Sequence, residues 1–223
     1  MQRLAAVSKR SALANSRAAG RPKLGDSSSP PMIDPLPTFH DWLADAQARH
    51  LPEPTAMALA TTDDEGLPAV RMVLLKQADD TGFVFYTNLE SDKGRHLIAR
   101  PFAELCFYWN PPGRQVRVRG PVQAVSTSEA DAYFASRAYT SRLGAWASRQ
   151  SRPLPRFAAL ERGVAAVAAR YPTGHVPRPP HWSGFRVKAE MIELWEEKPY
   201  RLHQRVRYLR DPVHGWSAQP LYP

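Results

Sequence analysis

The chain has 223 residues, of which 43% are hydrophobic and 23% are charged, a composition typical of a globular protein with a buried core. No apolar stretch approaches the roughly 18 residues that span a bilayer, so we expect a soluble protein without a membrane partner. The single cysteine, Cys106, excludes an intramolecular disulfide and a zinc site built from cysteines.

The net charge of +9 is concentrated near the amino terminus. Residues 1–30 contain six Lys or Arg residues and one acid, Asp26, which leaves only +4 for the rest of the chain. A nucleic-acid-binding protein needs a basic patch and usually has a recognisable binding module. The sequence contains no such module, so we predict no nucleic-acid partner.

Residues 1–36 are rich in Ala, Ser, Arg and Pro and show no sustained apolar period. We predict a flexible basic arm here, followed by one domain over residues 37–223. The acid-poor composition is also typical of an organelle transit peptide, and this alternative stays open. A secretory signal is disfavoured because the segment has no apolar core, so we expect a cytoplasmic protein.

The apolar pattern predicts a domain rich in strands, with helices clustered in the middle. A first helix is expected from Thr38, as its N-cap, to about His50. Alternating patterns bounded by turn residues predict strands at about 56–62, 67–76, 82–88, 103–109, 115–125, 183–196 (bent), 201–208 and 214–218. Further helices are expected between Ser91 and Pro101, between Ser126 and Arg137, over 141–149 and over 155–170. Without strand–helix alternation, GxGxxG or a Walker motif, the pattern favours a mainly β (α+β) fold, an antiparallel barrel with helical insertions.

The stretch from Arg71 to Arg95 combines cations and hydroxyl groups where a strand leads into a helix. Its polar side chains include Arg71, Lys76, Tyr86, Thr87, Ser91, Lys93 and Arg95. Free N–H groups and the dipole at a helix N-terminus favour an anion, so we predict a site for a phosphorylated cofactor. Arg71 and Lys76 are five residues apart and lie on opposite faces of a regular strand, unless a bulge or a subunit boundary brings them together.

Two further clusters carry possible anion-binding groups. In the C-terminal hairpin Trp195 precedes the turn, and four polar residues then alternate: Arg201, His203, Arg205 and Arg207. Neighbouring guanidinium groups repel one another unless an anion lies there, although a solvated face is the alternative. On a helix, Tyr133 and Arg137 are one turn apart, and Ser141 lies at the next helix start. Here a core tyrosine and a surface arginine are the alternative. The histidines show no metal-ligand spacing, and no metal is predicted.

Together these stretches resemble the pyridoxamine 5′-phosphate oxidase family. The matching segments are RMVLLK (71–76), FYTNLESDKG (85–94), RQVRVRG (114–120), YFASR with the following Ser (133–141), GAWASRQS (144–151), HWSGFRV (181–187) and ELWEEKPYRLHQRVRY (193–208). They extend from about residue 36 to the C-terminus in the order of the family. The resemblance implies an FMN-binding split barrel that works as a homodimer, with FMN held between the subunits.

The resemblance also implies the residues of the site. FMN would contact Arg71, Met72, Val73, Leu74, Lys76, Tyr86, Thr87, Lys93, Gln115, Gln150, Ser151, Trp195 and Arg205. The substrate phosphate would contact Lys76, Tyr133, Arg137 and Ser141, while Arg201 and His203, the implied catalytic pair, would hold the pyridine ring against the flavin. The implied reaction belongs to vitamin B6 biosynthesis or salvage. Pyridoxamine or pyridoxine 5′-phosphate is oxidised by hydride transfer to the flavin, and O2 reoxidises the flavin and yields hydrogen peroxide.

The chain departs from the family pattern at Asp92, where members usually carry the first residue of a basic pair. A carboxylate near a phosphate dianion is expected to weaken FMN binding unless it points away, and we expect Arg95 to compensate. The arm that covers the substrate in some members is not recognisable in residues 1–36. Two alternatives stay open: a related flavin oxidase for another substrate, as in phenazine pathways, and a non-catalytic protein that binds FMN or pyridoxal phosphate.

Overall fold

The structure is a computed structural model, and it describes residues 33–223. The arm predicted over residues 1–36 falls almost entirely outside these residues. The helices are α1 (Leu36–Ala48), α2 (Asp92–Ala99), α3 (Thr127–Ser136), α4 (Tyr139–Ala147) and α5 (Phe157–Arg170). The strands are β1 (Ala56–Thr62), β2 (Pro68–Leu74), β3 (Gln77–Asp79), β4 (Gly82–Asn88), β5 (Phe102–Trp109), β6 (Arg114–Ala124), β7 (Trp182–Val187), β8 (Met191–Glu196), β9 (Gln204–Asp211) and β10 (Gly215–Leu221). Among the described helices, none is long and apolar enough to cross a membrane.

The strands form one antiparallel sheet that curls into a half-barrel. Its main path runs β10-β9-β8-β6-β5-β1-β2, and β7 connects β6 to β4, which also pairs with β3. Strand β6 pairs with β8 over Arg114–Arg119 and with β7 over Val122–Ala124. It therefore joins the part of the sheet that contains β8, β9 and β10 to the part that contains β7, β4 and β3. This architecture confirms the predicted mainly β, split-barrel fold with helical insertions.

The core lies inside this curl, where alternate strand residues meet helix α1. Phe39 of α1 is fully buried and packs edge to face against Phe83 and Phe107, with ring centroids 5.0 and 5.2 Å apart. Such aromatic pairs stabilise a core beyond the burial of their area. The prediction that Thr38 is the N-cap of this helix was wrong. The helix begins three residues earlier, because Asp34 Oδ1 accepts the Leu36 N–H at 3.0 Å and Pro37 needs no partner in a first turn.

The strand predicted over 67–76 ends at Leu74, and Lys76 lies in the break before β3. There the Lys76 N–H donates to the carbonyl of Val84 at 2.8 Å. Arg71 and Lys76 therefore do not share one regular strand, and the spacing of five residues no longer sets their relative direction.

The strand predicted over 183–196 is in fact two strands, β7 and β8. The chain between them passes along β6 at Gly120, where the carbonyl of Lys188 leaves no room for a Cβ atom. Only glycine permits such a close approach of two backbones. Beyond this contact the chain, which pairs as β7 with Val122–Ala124 of β6, pairs as β8 with Arg114–Arg119 of the same strand.

The strand predicted over 201–208 begins only at Gln204. Tyr200 and Arg201 adopt left-handed backbone conformations, with φ of 59° and 60°, inside a short 3₁₀ turn at Pro199–Arg201. A strand cannot include such residues. The predicted alternation of Arg201 and His203 with Arg205 along one strand face was therefore wrong, and the first two lie on the turn that precedes β9.

Candidate active site

A cavity of about 660 Å³ is lined by residues from β2, β4, β7, α2, α3 and α4. The predicted site residues that line it are Met72, Val73, Leu74, Lys76, Tyr86, Thr87, Lys93, Tyr133, Arg137, Ser141 and Gln150. An adjoining depression adds Arg71 and Ser151. We call these thirteen residues the cavity set. The cavity volume lies within the range of small-molecule and cofactor sites.

Arg71 is anchored at one end of the cavity set by oxygens of β1 and β2. Its Nη1 donates to Thr61 Oγ1 at 2.6 Å and to the carbonyls of Ala69 and Leu59 at 2.9 and 3.1 Å. Burial lowers the pKa of Arg71, and Asp92 partly opposes this shift. Nε and Nη2 have no hydrogen-bond partner among residues 33–223, so they remain free to bind a ligand.

Lys93 lies beside Arg71 and is only 8% exposed. Its Nζ donates to Gln150 Oε1 at 3.1 Å and to Ser91 Oγ at 3.3 Å. Burial lowers the pKa of Lys93, and the neighbouring Arg71 lowers it further, while Asp92 acts in the opposite direction. Two cations that lie side by side and are largely or partly removed from water favour an anion between them.

The N-terminus of α2 is more occupied than the sequence suggests. Ser91 caps the helix by accepting the Gly94 N–H, and Ser151 Oγ accepts the Asp92 N–H at 3.2 Å. The N–H groups of Asp92 and Gly94, which were expected to bind an anion, thus already donate to side-chain oxygens. The exposed Asp92 carboxylate forms an ion pair with Arg95, the residue expected to compensate for it.

Gly94 permits α2 to pack closely against the end of β4. A Cβ atom on Gly94 would lie 2.6 Å from the carbonyl oxygen of Asn88 and closer still to that of Leu89. We expect Gly94→Ala to lower the free energy of unfolding by about 1–3 kcal/mol, because the backbone must shift. Gly163 of α5 is the matched control, since a Cβ there meets its nearest atom at 3.5 Å. Gly163→Ala is expected to raise the free energy by up to about 1 kcal/mol. Urea unfolding measures both, and equal effects would contradict the packing argument.

Three stacked aromatic rings form a wall of the cavity. Tyr86 stacks on Tyr133 with centroids 4.0 Å apart and on Trp182 with centroids 5.4 Å apart. The Arg137 guanidinium lies 4.9 Å from the Trp182 ring, and Lys76 Nζ lies 5.9 Å from the Tyr133 ring. Burial and, secondly, the Glu129 carboxylate raise the pKa of Tyr86 to about 12, so its hydroxyl stays protonated. The stack holds two cations, Lys76 and Arg137, at this second end of the site.

Arg137 is not the surface charge that the alternative interpretation assumed. Burial lowers its pKa, and its Nη1 is buried without a hydrogen-bond partner in the described part of the chain. A buried unpaired donor is costly unless a ligand binds it. Sequence reasoning assigned no role to Trp182, which supports this guanidinium, because nothing in local periodicity brings β7 next to α3.

The other predicted residues lie elsewhere on the chain. Gln115, Trp195 and Arg205 are neighbours in register across β6, β8 and β9. The His203 ring is 4.7 Å from the Trp195 ring, and its Nδ1 accepts the Lys198 N–H at 3.2 Å. We call Gln115, Trp195, Arg201, His203 and Arg205 the hairpin set. None of these five residues lines the cavity described above.

Comparison with known families supplies the identity of this arrangement. A family model described as pyridoxamine 5′-phosphate oxidase matches residues 43–171, and one described as the pyridoxine 5′-phosphate oxidase C-terminal dimerisation region matches residues 182–223. The chain belongs to the pyridoxamine 5′-phosphate oxidase family. This confirms the resemblance and makes the chain a member of an FMN-dependent oxidoreductase family. Most of the hairpin set falls within the match to the dimerisation region.

Individual relatives agree with this assignment. Proteins from Rhizobium etli and Brucella canis, both named pyridoxine/pyridoxamine 5′-phosphate oxidase, are 54% identical over 191 residues, which is 85% of this chain and 93% and 94% of theirs. The crystal structure of PhzG from Burkholderia lata 383, in complex with tetrahydrophenazine-1-carboxylic acid, is 33% identical with a TM-score of 0.81, and the match covers 87% of this chain and 94% of that one. A pyridoxamine 5′-phosphate oxidase-related, FMN-binding protein from Nostoc punctiforme has a TM-score of 0.70 at 19% identity, covers 86% of this chain and 99% of its own, and supports the fold alone.

Proposed function

We propose that this oxidoreductase, with FMN, uses O2 to oxidise pyridoxine 5′-phosphate to pyridoxal 5′-phosphate and hydrogen peroxide. Pyridoxamine 5′-phosphate gives the same products with uptake of water and release of ammonia. The observation that carries this proposal is the pair of separate cation clusters in the cavity set. Arg71 and Lys93 form one, and Lys76 and Arg137 form the other. Two clusters suit two phosphorylated molecules, a cofactor and a substrate. The same proposal includes the cytoplasm as the compartment, as the sequence leads us to expect.

The first cluster fits the phosphate of FMN. Arg71 offers Nε and Nη2, which have no partner in the described part of the chain, and Lys93 is buried beside it with Gln150 and Ser151 at the rim. The flavin ring would then extend along Met72, Val73 and Leu74 of β2, which line the cavity. When bound, FMN supplies the acceptor for a hydride, while the protein supplies binding and orientation.

The second cluster fits the phosphate of the substrate. Arg137 Nη1, which lacks a partner among the described residues, would donate to a phosphate oxygen, together with Lys76 and the hydroxyls of Tyr133 and Ser141. A guanidinium held flat on Trp182 loses little freedom when it binds. Retention of this set favours a phosphorylated pyridine over the substrate of PhzG-type relatives.

We further propose that the site is completed by a second copy of the chain. The hairpin set lies apart from the cavity, and most of it falls within the region that matches a dimerisation model. Edge strand β2 also presents an apolar stripe, with Val70, Met72 and Leu74 exposed by 66%, 62% and 37%. A partner would cover this stripe and bring Arg201 and His203 to the substrate ring, where a cation stabilises developing negative charge.

One experiment tests the reaction. The purified protein is loaded with FMN and mixed with pyridoxine 5′-phosphate in air, and pyridoxal 5′-phosphate absorbance and peroxide are followed. Formation of both in equal amounts supports the proposal. Bound flavin without product from either pyridoxine or pyridoxamine 5′-phosphate contradicts it. In that case, turnover of tetrahydrophenazine-1-carboxylic acid would support the PhzG-type alternative, and no turnover would support the non-catalytic one.

Lys93 gives the proposal a pH dependence. Its pKa in the free protein is lowered, whereas a phosphate dianion stabilises the ammonium and raises that pKa, so FMN binding takes up a proton on the alkaline side. Affinity should be full below the pKa of Lys93 in the free protein and should fall as pH rises through it. Fluorescence titration of apoprotein with FMN over the alkaline range measures this fall. Lys93→Arg keeps its charge and is expected to abolish it; an unchanged fall would show that another group titrates.

A further inference from the structure

Glu193 of β8 is a buried carboxylate for which the proposed reaction has no use. It is 2% exposed, and the guanidinium groups of Arg117, Arg205 and Arg207 surround it. Burial of a carboxylate is costly unless it is paired. The arginines provide this pairing, and one of them, Arg205, is expected to contact FMN. We therefore asked what Glu193 does for Arg205.

The contacts of Glu193 are unequal, and the strongest go to Arg205. Arg205 Nη2 and Nε both donate to Glu193 Oε1, at 2.7 and 3.0 Å. Arg117 Nη1 and Arg207 Nε stay 3.7 Å from Oε2, which accepts no hydrogen bond from residues 33–223. Arg117 instead donates to Glu104 of β5. Two bonds to one oxygen fix the plane of the Arg205 guanidinium.

The strand register places this carboxylate in the row of residues next to that of Gln115, Trp195 and Arg205. Gln115, Trp195 and Arg205 form one row across β6, β8 and β9, and Arg117, Glu193 and Arg207 form the next row. The rows are two residues apart along each strand, so their side chains share one face of the sheet. Glu193 thus lies beside the row that is expected to contact FMN and binds Arg205 of that row.

The bonds of Arg205 leave a defined part of its guanidinium free. Nη1 donates to the carbonyl of Tyr222 at 3.2 Å, in addition to the two bonds to Glu193. Of the five N–H groups of an arginine, one on each Nη nitrogen is then not used by any residue that the structure describes and remains for a ligand. An arginine held in this way is preorganised, because it need not be ordered when the ligand arrives.

We propose that Glu193 is a positioning residue that fixes Arg205 for its contact with FMN in the partner subunit's cavity. This inference rests on the proposed function, because it assumes that Arg205 contacts FMN. It assigns no contact with FMN or substrate to Glu193 itself.

A thermodynamic cycle on FMN affinity tests the proposal. The dissociation constant is measured by flavin fluorescence on dimeric apoprotein for the wild type, Glu193→Gln, Arg205→Met and the double variant. Charge-assisted hydrogen bonds are about twice as strong as neutral ones, so Glu193→Gln should loosen Arg205 and weaken binding by about tenfold. In the Arg205→Met background the same substitution should have no further effect.

Two additional variants test whether a general change of charge or of fold, rather than the loss of the bond to Arg205, weakens FMN binding. Glu104→Gln removes the other carboxylate of the cluster, which binds Arg117 and not Arg205, and should leave FMN affinity unchanged. Glu193→Asp keeps the charge but withdraws it by one methylene, so it should weaken binding in the same Arg205-dependent way even if Glu193→Gln does not fold. Thermal unfolding of each apoprotein verifies the fold.

The outcomes distinguish a failure of the positioning role of Glu193 from a failure of the proposed function. Equal weakening by Glu193→Gln in both backgrounds, or none in either, overturns the positioning role alone. If Arg205→Met binds FMN as the wild type does, then Arg205 does not contact FMN, and both the contact assigned above and the role of Glu193 are wrong. If the wild-type apoprotein takes up no FMN, the proposed function fails first.

Discussion

Arg71→Met is expected to weaken FMN binding by about 100-fold. Arg71 Nη1 donates to three oxygens of β1 and β2, while Nε and Nη2, which have no partner within residues 33–223, would bind the phosphate. A hydrogen bond to a charged group contributes about 1.5–3 kcal/mol, and two such bonds exceed the roughly 2.8 kcal/mol that corresponds to 100-fold. Fluorescence titration of the apoprotein with FMN measures the loss.

Thr61 supplies a graded control for this prediction. Its side chain is 3% exposed, accepts from Arg71 and lies 3.0 Å from His96 Nδ1. Thr61→Val removes one of the three acceptors that hold Arg71, so it should weaken FMN binding much less than Arg71→Met, and Thr61→Ser should restore it. If Arg71→Met binds FMN within about threefold of the wild type, Arg71 serves only to tie β1 to β2.

Local patterns in the sequence were sufficient wherever the structure is local. Alternation located most of the strands, and the caps at Ser91 and Ser126 are present as predicted, each accepting the N–H three residues on. Such features depend on residues within a few positions of each other. Arg71 and Lys93 also meet around one depression, although they lie on β2 and α2 with two strands between them in the chain.

Features that depend on the pairing of strands distant in the chain could not be predicted from the sequence. Trp182 stacks on Tyr86 because β7 pairs with β4, and Glu193 meets Arg205 because β8 pairs with β9. Neither pairing leaves a trace in local periodicity. The turn that removes Arg201 from the strand depends on left-handed backbone at a tyrosine and an arginine, residues that rarely adopt it. The sequence alternation was real, but its first two members belong to a turn.

The division of the site residues into two sets leads to the second large effect. Arg137→Ala removes a cation of the cavity set, and Arg201→Ala removes one of the hairpin set; we expect each homodimer to be nearly inactive. If each site takes its cavity set from one subunit and its hairpin set from the other, a mixed dimer contains one site with both substitutions and one with neither. Reassociation of equal amounts makes half of the dimers mixed, so about one quarter of the wild-type activity should return. Pyridoxal 5′-phosphate formation after co-refolding measures the recovery.

The control mixes two variants of the same set. Arg137→Ala and Lys76→Ala both change residues that line the cavity, so every site of their mixed dimer carries one of the two substitutions and activity should not return. Recovery in this control, or its absence when Arg137→Ala meets Arg201→Ala, would contradict a site shared between subunits. The requirement for a partner would also explain why one chain keeps Arg201 exposed on a turn, away from the cavity.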